Sequence, residues 1–308
     1  MTFVHIPVMR EDVLELLEQA SPRVLVDATV GLGGHAEALL ERFPAAHLVG
    51  IDQDQDALQR AQQRLQRFGD RFEVWHGNFS QVDVGLQQLG VTKVDGALLD
   101  LGVSSMQIDD PERGFSYMRD GPLDMRMDPS QQRTAADLIC EAPEAEIARV
   151  LWEFGEEKLS RRIARRIVQA RERQPLRSTS ELADVVRGCV SGRKPVSSLA
   201  RVFQSVRMWV NGELESLAEG LGRMLGVLAP GAIFVVLSYH SLEDRVVKQL
   251  FRQQVDGCVC PPGLPECGCG FVAQYRLLTR RARRASEAEV EQNVRARSVR
   301  LRALQRVA

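Results

Sequence analysis

The feature that most constrains the fold is a regular alternation of short aliphatic runs with helical stretches over the first hundred residues. The first run, Val24–Asp27, leads directly into a glycine-rich turn and a helical stretch over 36–42. Strands that alternate with helices of about 10 to 14 residues predict a parallel sheet with right-handed crossovers. The remaining predicted strands are His47–Asp52, 71–76 and Val94–Asp100, and the helices between them are 55–68 and 80–89.

The alternation stops after Asp100. Residues 109–129 are rich in Asp, Gly, Pro and Arg without an apolar period, and residues 134–211 have the pattern of several helices. A helix over 213–228 and an apolar run over 232–237 then return the chain to the sheet. We therefore expect an α/β protein of two domains. The core is discontinuous, over 1–108 and 212–308, and a helical substrate-recognition domain is inserted over 109–211.

The apolar residues of the chain bear on the size of its hydrophobic core and on its cellular compartment. At 44% apolar residues, the 308-residue chain has enough hydrophobic material for a substantial core. No window approaches about 18 uninterrupted apolar residues, and the N-terminus lacks a basic flank followed by an apolar run. We expect a soluble, cytoplasmic protein with no membrane partner, whose six cysteines are reduced thiols.

The charge is unevenly distributed along the chain. The net charge is only −1, yet from Arg276 onward there are ten arginines, three glutamates and no aspartate or lysine. A basic tail of this kind suits a polyanionic partner. A solvated helix whose arginines face water explains the charge equally well.

The glycine-rich turn predicts a ligand site. Gly31, Gly33 and Gly34 leave the backbone N–H groups open to a ligand at a helix N-terminus. Asp52 lies 18 residues beyond Gly34, where a carboxylate accepts hydrogen bonds from ribose hydroxyls. The spacing also fits a dinucleotide site, so an NAD-linked oxidoreductase remains an alternative, as does a tight turn with no ligand. An acidic residue at the position of Asp27 instead favours S-adenosylmethionine.

Several stretches together resemble one protein family. They are 5–9 (HIPVM), 27–35 (DATVGLGGH), 50–54 (GIDQD), 95–105 (DGALLDLGVSS), 112–117 (ERGFSY), 120–128 (DGPLDMRMD), 238–245 (SYHSLEDR) and 295–298 (RARS). This pattern is similar to that of the ribosomal RNA small subunit methyltransferase H family, also called MraW. The likeness extends from His5 to about Leu301, which is nearly the whole chain.

The resemblance implies a Rossmann-like class I methyltransferase core with S-adenosylmethionine as the methyl donor. It also implies N4-methylation of a cytidine in the decoding region of 16S ribosomal RNA, with the 30S subunit or its late precursor as partner. By matching position, the cofactor contacts of the family fall on Gly33, Gly34, His35, Asp52, Phe79, Asp100 and Gln107. On the residues alone, His35 is more often a cap or packing residue, and Phe79 more often belongs to the core.

Two residues are candidates for the chemistry. The exocyclic nitrogen of cytosine shares its lone pair with the ring, so an acceptor for its N–H groups would restore its nucleophilicity. Asp100, after the fourth strand, is the candidate acceptor, although it would also suit a purely cofactor-holding role. His240 follows the fifth predicted strand and would contact the base or a phosphate, with a structural histidine as the alternative. Aromatic rings for a splayed-out base are offered by Phe115, Tyr117 and Tyr239.

Arginines are the predicted RNA contacts. The candidates are Arg113, Arg126, Arg201, Arg207, Arg295 and Arg297. A predicted helix over 157–173 also stacks Arg161 with Arg165 and Arg162 with Arg166 at i, i+4, a stripe that would track phosphates. The alternative for this stripe is a solvated helix face.

Two further hypotheses concern a metal site in a cysteine cluster and a function without catalysis. Cys258, Cys260, Cys267 and Cys269 could form two zinc knuckles, but Cys-x-Cys is tighter than the usual spacing and we predict no metal. A ribosome-assembly factor that keeps the fold without turnover is the second functional class. The intact glycine loop with Asp52, Asp100 and Gln107 argues against it.

Overall fold

The structure of the chain is a computed structural model that describes residues 7–190, 195–257 and 268–307. The chain divides into two compact units. The first unit comprises Met1–Gly102 and Leu214–Ala308, and the second comprises Val103–Glu213. Within the described ranges, no helix is both long and apolar enough to cross a lipid bilayer.

The first unit contains seven strands, β1 Val24–Asp27, β2 His47–Asp52, β3 Phe72–His76, β4 Val94–Asp100, β5 Leu228–Ser238, β6 Tyr275–Leu277 and β7 Arg300–Arg306. They form one sheet of order β3-β2-β1-β4-β5-β7-β6. The five strands from β3 to β5 in this order are parallel, as predicted, whereas β7 is antiparallel to both β5 and β6. The sheet is therefore mixed, and its antiparallel edge was not predicted.

Helices cover both faces of this sheet. One face packs against α1 Arg10–Glu18, α2 Gly34–Arg42 and α3 Gln55–Leu65. The other packs against α4 Val82–Gln88, α10 Glu213–Val227 and α11 Ser241–Val255. Because side chains of a strand alternate between faces, Val235 joins the first core and Val236 the second. Shorter elements are α12 Glu287–Gln292 and the 3-10 helices Gln66–Arg71, Phe79–Gln81 and Val294–Ser298.

The second unit is helical and has a hydrophobic core of its own. A capping box between Ser178 and Glu181 begins α8, and α7 ends just before Gln174, the residue that precedes a proline. The helices are α5 Ser105–Asp109, α6 Glu144–Glu153, α7 Ser160–Arg173, α8 Thr179–Arg187 and α9 Pro195–Asn211, with a 3-10 turn at Pro111–Arg113 and a π-helix at Asp137–Glu141.

The basic C-terminal segment is not a tail. Strand β7 lies between β5 and β6, with Leu301 and Ala303 in the hydrophobic core. On the opposite side of the same strand, Arg300 and Arg302 pair with Asp244 of α11 at 2.9 and 2.6 Å. Two arginines of this strand thus serve the packing of α11 on the sheet, and polyanion binding by the basic segment stays a prediction.

Replacing Asp244 by alanine is expected to lower the free energy of unfolding by about 2 kcal/mol, because Arg300 and Arg302 would lose their partner while remaining partly buried. Burial raises the pKa of Asp244, but the two arginines outweigh it and hold the pKa below its ordinary value. The stabilisation is therefore present above about pH 4 and is lost as the pH falls through the lower folded-state pKa.

Urea unfolding of both proteins at neutral pH measures this difference. The control is Asp12→Ala, which removes the more exposed ion pair of Asp12 with Arg283 and should cost less than about 1 kcal/mol. Equal losses in the two variants would contradict the structural role assigned to Asp244.

Candidate active site at the carboxyl edge of the sheet

The order of the strands places a crevice at the carboxyl edge of the sheet. From β1 the chain continues to β2 and β3 on one side and then crosses to β4 on the other. The loops after β1 and β4 consequently diverge, and ligands of open α/β sheets bind at such a switch point. Asp27, Asp52 and Asp100 are the last residues of β1, β2 and β4. Three carboxylates therefore gather at this edge.

The loop after β1 has the conformation that glycine permits. Gly31 and Gly33 have φ angles of 51° and 78°, in the left-handed region that side chains disfavour. A Cβ atom on Gly33 would also lie 3.1 Å from the Leu65 Cδ1 atom of α3. Gly33 precedes the first residue of α2 and has no side chain to cap it. The N–H groups of the first turn are thus directed at the crevice, where an anionic or polar ligand group would accept from them.

Asp52 ties the end of β2 to this loop. Its Oδ2 atom accepts a hydrogen bond from the Gly31 N–H at 2.8 Å, and its Oδ1 atom accepts from the Asp54 N–H at 2.9 Å. Burial raises the pKa of Asp52 to about 6, and these backbone hydrogen bonds limit the rise because they stabilise the carboxylate. The carboxylate is half-buried, so lone pairs remain on the crevice side for the hydroxyls of a ligand.

Asp100 is held by one side chain of the same unit and lies close to a second. The Tyr239 hydroxyl donates to its Oδ1 atom at 2.8 Å, and the His35 Nε2 atom lies 3.6 Å from its Oδ2 atom. Its backbone N–H donates to the Thr29 hydroxyl at 2.6 Å. Burial raises the pKa of Asp100 to about 7, and the hydrogen bond from Tyr239 opposes that rise. Asp100 therefore changes charge close to neutral pH.

Asp27 completes the acidic cluster. It is 1% exposed and accepts a hydrogen bond from the Thr29 N–H at 3.3 Å. Burial, followed by the charges of Asp100 and Asp52, raises its pKa to about 8. Within the described part of the chain, none of the three carboxylates forms an ion pair with a lysine or arginine, and the one basic neighbour is His35. A cationic ligand would favour the charged forms of these carboxyls and so lower their raised pKa values.

The two histidines near the cluster have different local roles. His35 is buried at the second position of α2, where its ring faces Asp100. His240 is the N-cap of α11, and its Nδ1 atom accepts from the Glu243 N–H at 3.4 Å. In return, the Tyr239 N–H donates to the Glu243 carboxylate at 2.8 Å. Capping thus occupies Nδ1 of His240, and a contact of this residue with the substrate stays a prediction.

The remaining predicted cofactor residues lie in different units. Phe79 begins the 3-10 helix after β3, and its ring lies so close to Gly220 of α10 that a Cβ atom there would meet it at 2.4 Å. Gln107 belongs to the second unit, where it is buried and forms a capping box with Ser104 at the start of α5. Its Oε1 atom accepts from the Ser104 N–H at 3.0 Å. Cofactor contacts of Phe79 and Gln107 stay predictions.

Most of the predicted RNA-binding arginines have acceptors within their own unit. Arg113 donates to the carbonyls of Arg126 and Met127, Arg126 makes two hydrogen bonds to Asp124, Arg207 makes two to Glu213, and Arg201 lies 3.4 Å from Glu157. Arg295 and Arg297 are exposed on the 3-10 helix Val294–Ser298. RNA contact by these six residues stays a prediction, and the first four also stabilise the second unit.

The other aromatic and cysteine candidates are placed as follows. Phe115 is buried in the core of the second unit, and Tyr117 packs edge-to-face on Phe203 with ring centroids 5.5 Å apart. Both rings were predicted as surfaces for a splayed-out base, and their packing within the second unit was not predicted. Of the four clustered cysteines, Cys269 is exposed, and the other three lie outside the described residues.

Two contributors to the site were not found from the sequence. The Thr29 hydroxyl accepts from the Asp100 N–H and joins the loop after β1 to the end of β4. Tyr239 was considered only as a ring for a base, whereas its hydroxyl holds Asp100. The signal that could have identified Tyr239 was its position in the sequence. Tyr239 directly follows β5, which pairs with β4, so both strands end at the same edge of the sheet.

The fold and the site together define the class of protein. A sheet of order 3-2-1-4-5-7-6 with an antiparallel seventh strand, and with a glycine loop and acidic strand ends at its switch point, is that of a Rossmann-like methyltransferase. The predicted fold class is thereby confirmed. Residues 2–307 match the MraW methylase family, and the chain belongs to that family.

Curated relatives are similar to this chain over its full length. A protein named ribosomal RNA small subunit methyltransferase H from Syntrophotalea carbinolica is 50% identical over 99% of this chain and 98% of its own length. Proteins of the same name from Geobacter sulfurreducens and Carboxydothermus hydrogenoformans are 48% and 46% identical, covering 100% of this chain and 100% and 99% of their own lengths. The resemblance drawn from the motifs is confirmed.

Tyr239→Phe is expected to shift the acidic limb of the pH–rate profile for methyl transfer to higher pH. Loss of the hydroxyl removes a hydrogen bond that lowers the pKa of Asp100, so more of that carboxyl is protonated at neutral pH. His35, Asp27 and Glu243, the other ionisable groups around Asp100, are unchanged. Measuring kcat/KM from about pH 6 to 9 tests this. Rates should converge at the alkaline end, and an unshifted limb would contradict the role of Tyr239.

Proposed function

We propose that the chain transfers a methyl group from S-adenosylmethionine to N4 of a cytidine in the decoding region of 16S ribosomal RNA. The observation that carries the proposal is the position of Asp100. Its carboxylate lies at the end of β4, beside the glycine loop of β1, and is oriented by Tyr239. Methylation of an exocyclic amine needs an acceptor for the N–H groups of that amine close to the bound methyl donor.

The residues at the crevice fit S-adenosylmethionine. Its sulfonium and ammonium groups are cationic, and the cluster of Asp27, Asp52 and Asp100 has no lysine or arginine ion pair among the described residues. Asp52 would accept hydrogen bonds from the ribose hydroxyls, while its hydrogen bond from the Gly31 N–H holds the glycine loop in place. The Gly33 N–H donates to the Val30 carbonyl at 2.8 Å, so the N–H groups of the first turn of α2, which begins at Gly34, would meet the polar end of the cofactor. His35, Phe79 and Gln107 are proposed as further contacts.

The cofactor supplies a methyl group on an excellent leaving group, so the protein has to align, desolvate and activate the acceptor. Asp100 in its ionised form would accept a hydrogen bond from the cytosine amino group and return electron density to the nitrogen. Tyr239 would hold one carboxylate oxygen in place, and the His35 ring lies 3.6 Å from the other. A pKa of about 7 leaves much of Asp100 ionised at neutral pH.

The substrate is proposed from the family and from charge. The relatives bear the name of small-subunit ribosomal RNA methyltransferases. Exposed arginines occur in both units of this chain, for example Arg295 in the first and Arg161 in the second. RNA inside the 30S subunit or its late precursor is accordingly the proposed partner, and the cytidine must leave its stack to reach the crevice.

Transfer of labelled methyl groups to 30S subunits from cells that lack this protein tests the proposal. Nucleoside analysis should place the label in N4-methylcytidine. Label in another nucleoside would contradict the proposed target while leaving methyl transfer intact. Tight binding to subunits with no transfer would favour the alternative of an assembly factor without turnover.

A further inference from the structure

Helix α7 of the second unit has one strongly basic face. Its residues Ser160, Ile163, Ala164 and Ile167 are buried, whereas four arginines on the other side are exposed. These are Arg161, Arg162, Arg165 and Arg166, which we call the α7 basic face. The helix is thus amphipathic in the ordinary sense, but the polar side of its first half carries only positive charge, and the one acidic residue of the helix, Glu172, lies in its last turn.

The placement of these charges opposes helix stability. All four lie in the first half of α7, at the positive end of the helix dipole, and the first turn contains no acidic residue. Arg161 with Arg165 and Arg162 with Arg166 are like-charge pairs at i, i+4, which repel. The N-cap, Leu159, has no capping side chain of its own, and the carboxylate of Glu157, just before the helix, accepts from the Leu159 N–H at 2.9 Å. Local rules that are broken together without a structural gain point to a function.

The unit itself neutralises little of this charge. Arg165 has Glu144 at 3.7 Å, and the other three arginines of the α7 basic face form no ion pair with any residue that the structure describes. Arg162 and Arg166 face Cys189 at the end of α8, which contributes no negative charge as a thiol with a raised pKa. By contrast, Arg171 of the same helix donates to the carbonyls of Ile139 and Ala142 and so serves the fold.

We propose that the α7 basic face binds the phosphate backbone of the RNA substrate. This inference rests on the proposed function, because it takes the polyanion to be ribosomal RNA. Guanidinium groups spaced by one helical turn, about 6 Å, can each pair with a phosphate, and such contacts position an RNA without selecting its sequence. Bound phosphates would also relieve the like-charge repulsion within the helix.

The test compares two double variants that remove the same charge. Arg162→Gln with Arg166→Gln alters the α7 basic face. The control is Arg149→Gln with Arg187→Gln, in the same unit, where each arginine is exposed and paired with a neighbouring acid, Glu153 or Asp184. Binding to 30S subunits from cells lacking the protein is measured from about 50 to 300 mM KCl, together with methyl-transfer kinetics.

The α7 variant should bind about tenfold more weakly at about 100 mM salt, with a slope of log K against log[salt] reduced by about 1.4 to 1.8. The loss should appear in KM and not in kcat. Thermal stability should stay equal or rise, because repulsion is removed. A purely structural role would instead lower stability and leave the salt slope unchanged.

Salt slopes equal in the α7 variant and the control would overturn the inference. So would a loss of binding to phosphatidylglycerol vesicles without any loss of binding to 30S subunits, since the partner would then be a membrane surface. If the unaltered protein binds subunits without methylating them, the proposed function fails, yet the comparison of salt slopes still decides whether α7 contacts RNA.

Discussion

Asp100→Ala is expected to lower methyl transfer to 30S subunits by at least about a thousandfold at saturating cofactor. The variant loses the proposed acceptor for the cytosine amino group, and the Tyr239 hydroxyl loses the carboxylate to which it donates. Asp100→Asn should remain nearly as inactive, because an amide is a weaker acceptor without a full charge. Single-turnover rates with labelled S-adenosylmethionine measure the effect.

Cofactor affinity separates the two roles proposed for Asp100. A catalytic role leaves the Kd for S-adenosylmethionine within a few fold of its original value while transfer collapses. A matching rise in Kd would restrict Asp100 to holding the cofactor. The control is Asp95→Asn at the other end of β4, five residues or about 16 Å away, where transfer should be nearly unchanged. Normal transfer by Asp100→Ala would refute the proposed chemistry.

Asp52→Ala is expected to weaken S-adenosylmethionine binding by about a hundredfold. Two hydrogen bonds from ribose hydroxyls to a carboxylate would be lost, each contributing about 1.5 kcal/mol or more. The Gly31 N–H would also lose its acceptor, so the glycine loop would be held less firmly before the ligand arrives. Calorimetric titration with the cofactor, without RNA, measures the change directly.

The matched control for Asp52 is Asp56→Ala. Asp56 is exposed in the first turn of α3, four residues along the chain, and carries the same charge. It should leave the Kd within about twofold. Because the pKa of Asp52 is about 6, the affinity of the unaltered protein should also fall as the pH drops through that value. If Asp52→Ala bound the cofactor normally, the ribose contact would have to be assigned elsewhere.

Local patterns accounted for the parallel part of the sheet. The runs ending at Asp27, Asp52 and Asp100 are short, buried strands, and only the crossover that places β4 beside β1 instead of β3 departs from the order of the strands in sequence. The antiparallel pair β6 and β7 was missed, because arginines alternate with apolar residues in β7 and the charge outweighed the period of two. The pairing of Arg300 and Arg302 with Asp244 of α11 accommodates these charges beside the sheet.

By itself, the sequence determined the α/β class, the family and the positions of the glycine loop and acidic strand ends, because each depends on residues a few positions apart. Tertiary structure decided how the site is held. The hydroxyl of Tyr239 reaches Asp100 across 139 positions of the chain, and the raised pKa values of Asp27 and Asp100 arise from burial. No local pattern carries such information, since burial and long-range hydrogen bonds exist only once the strands have assembled.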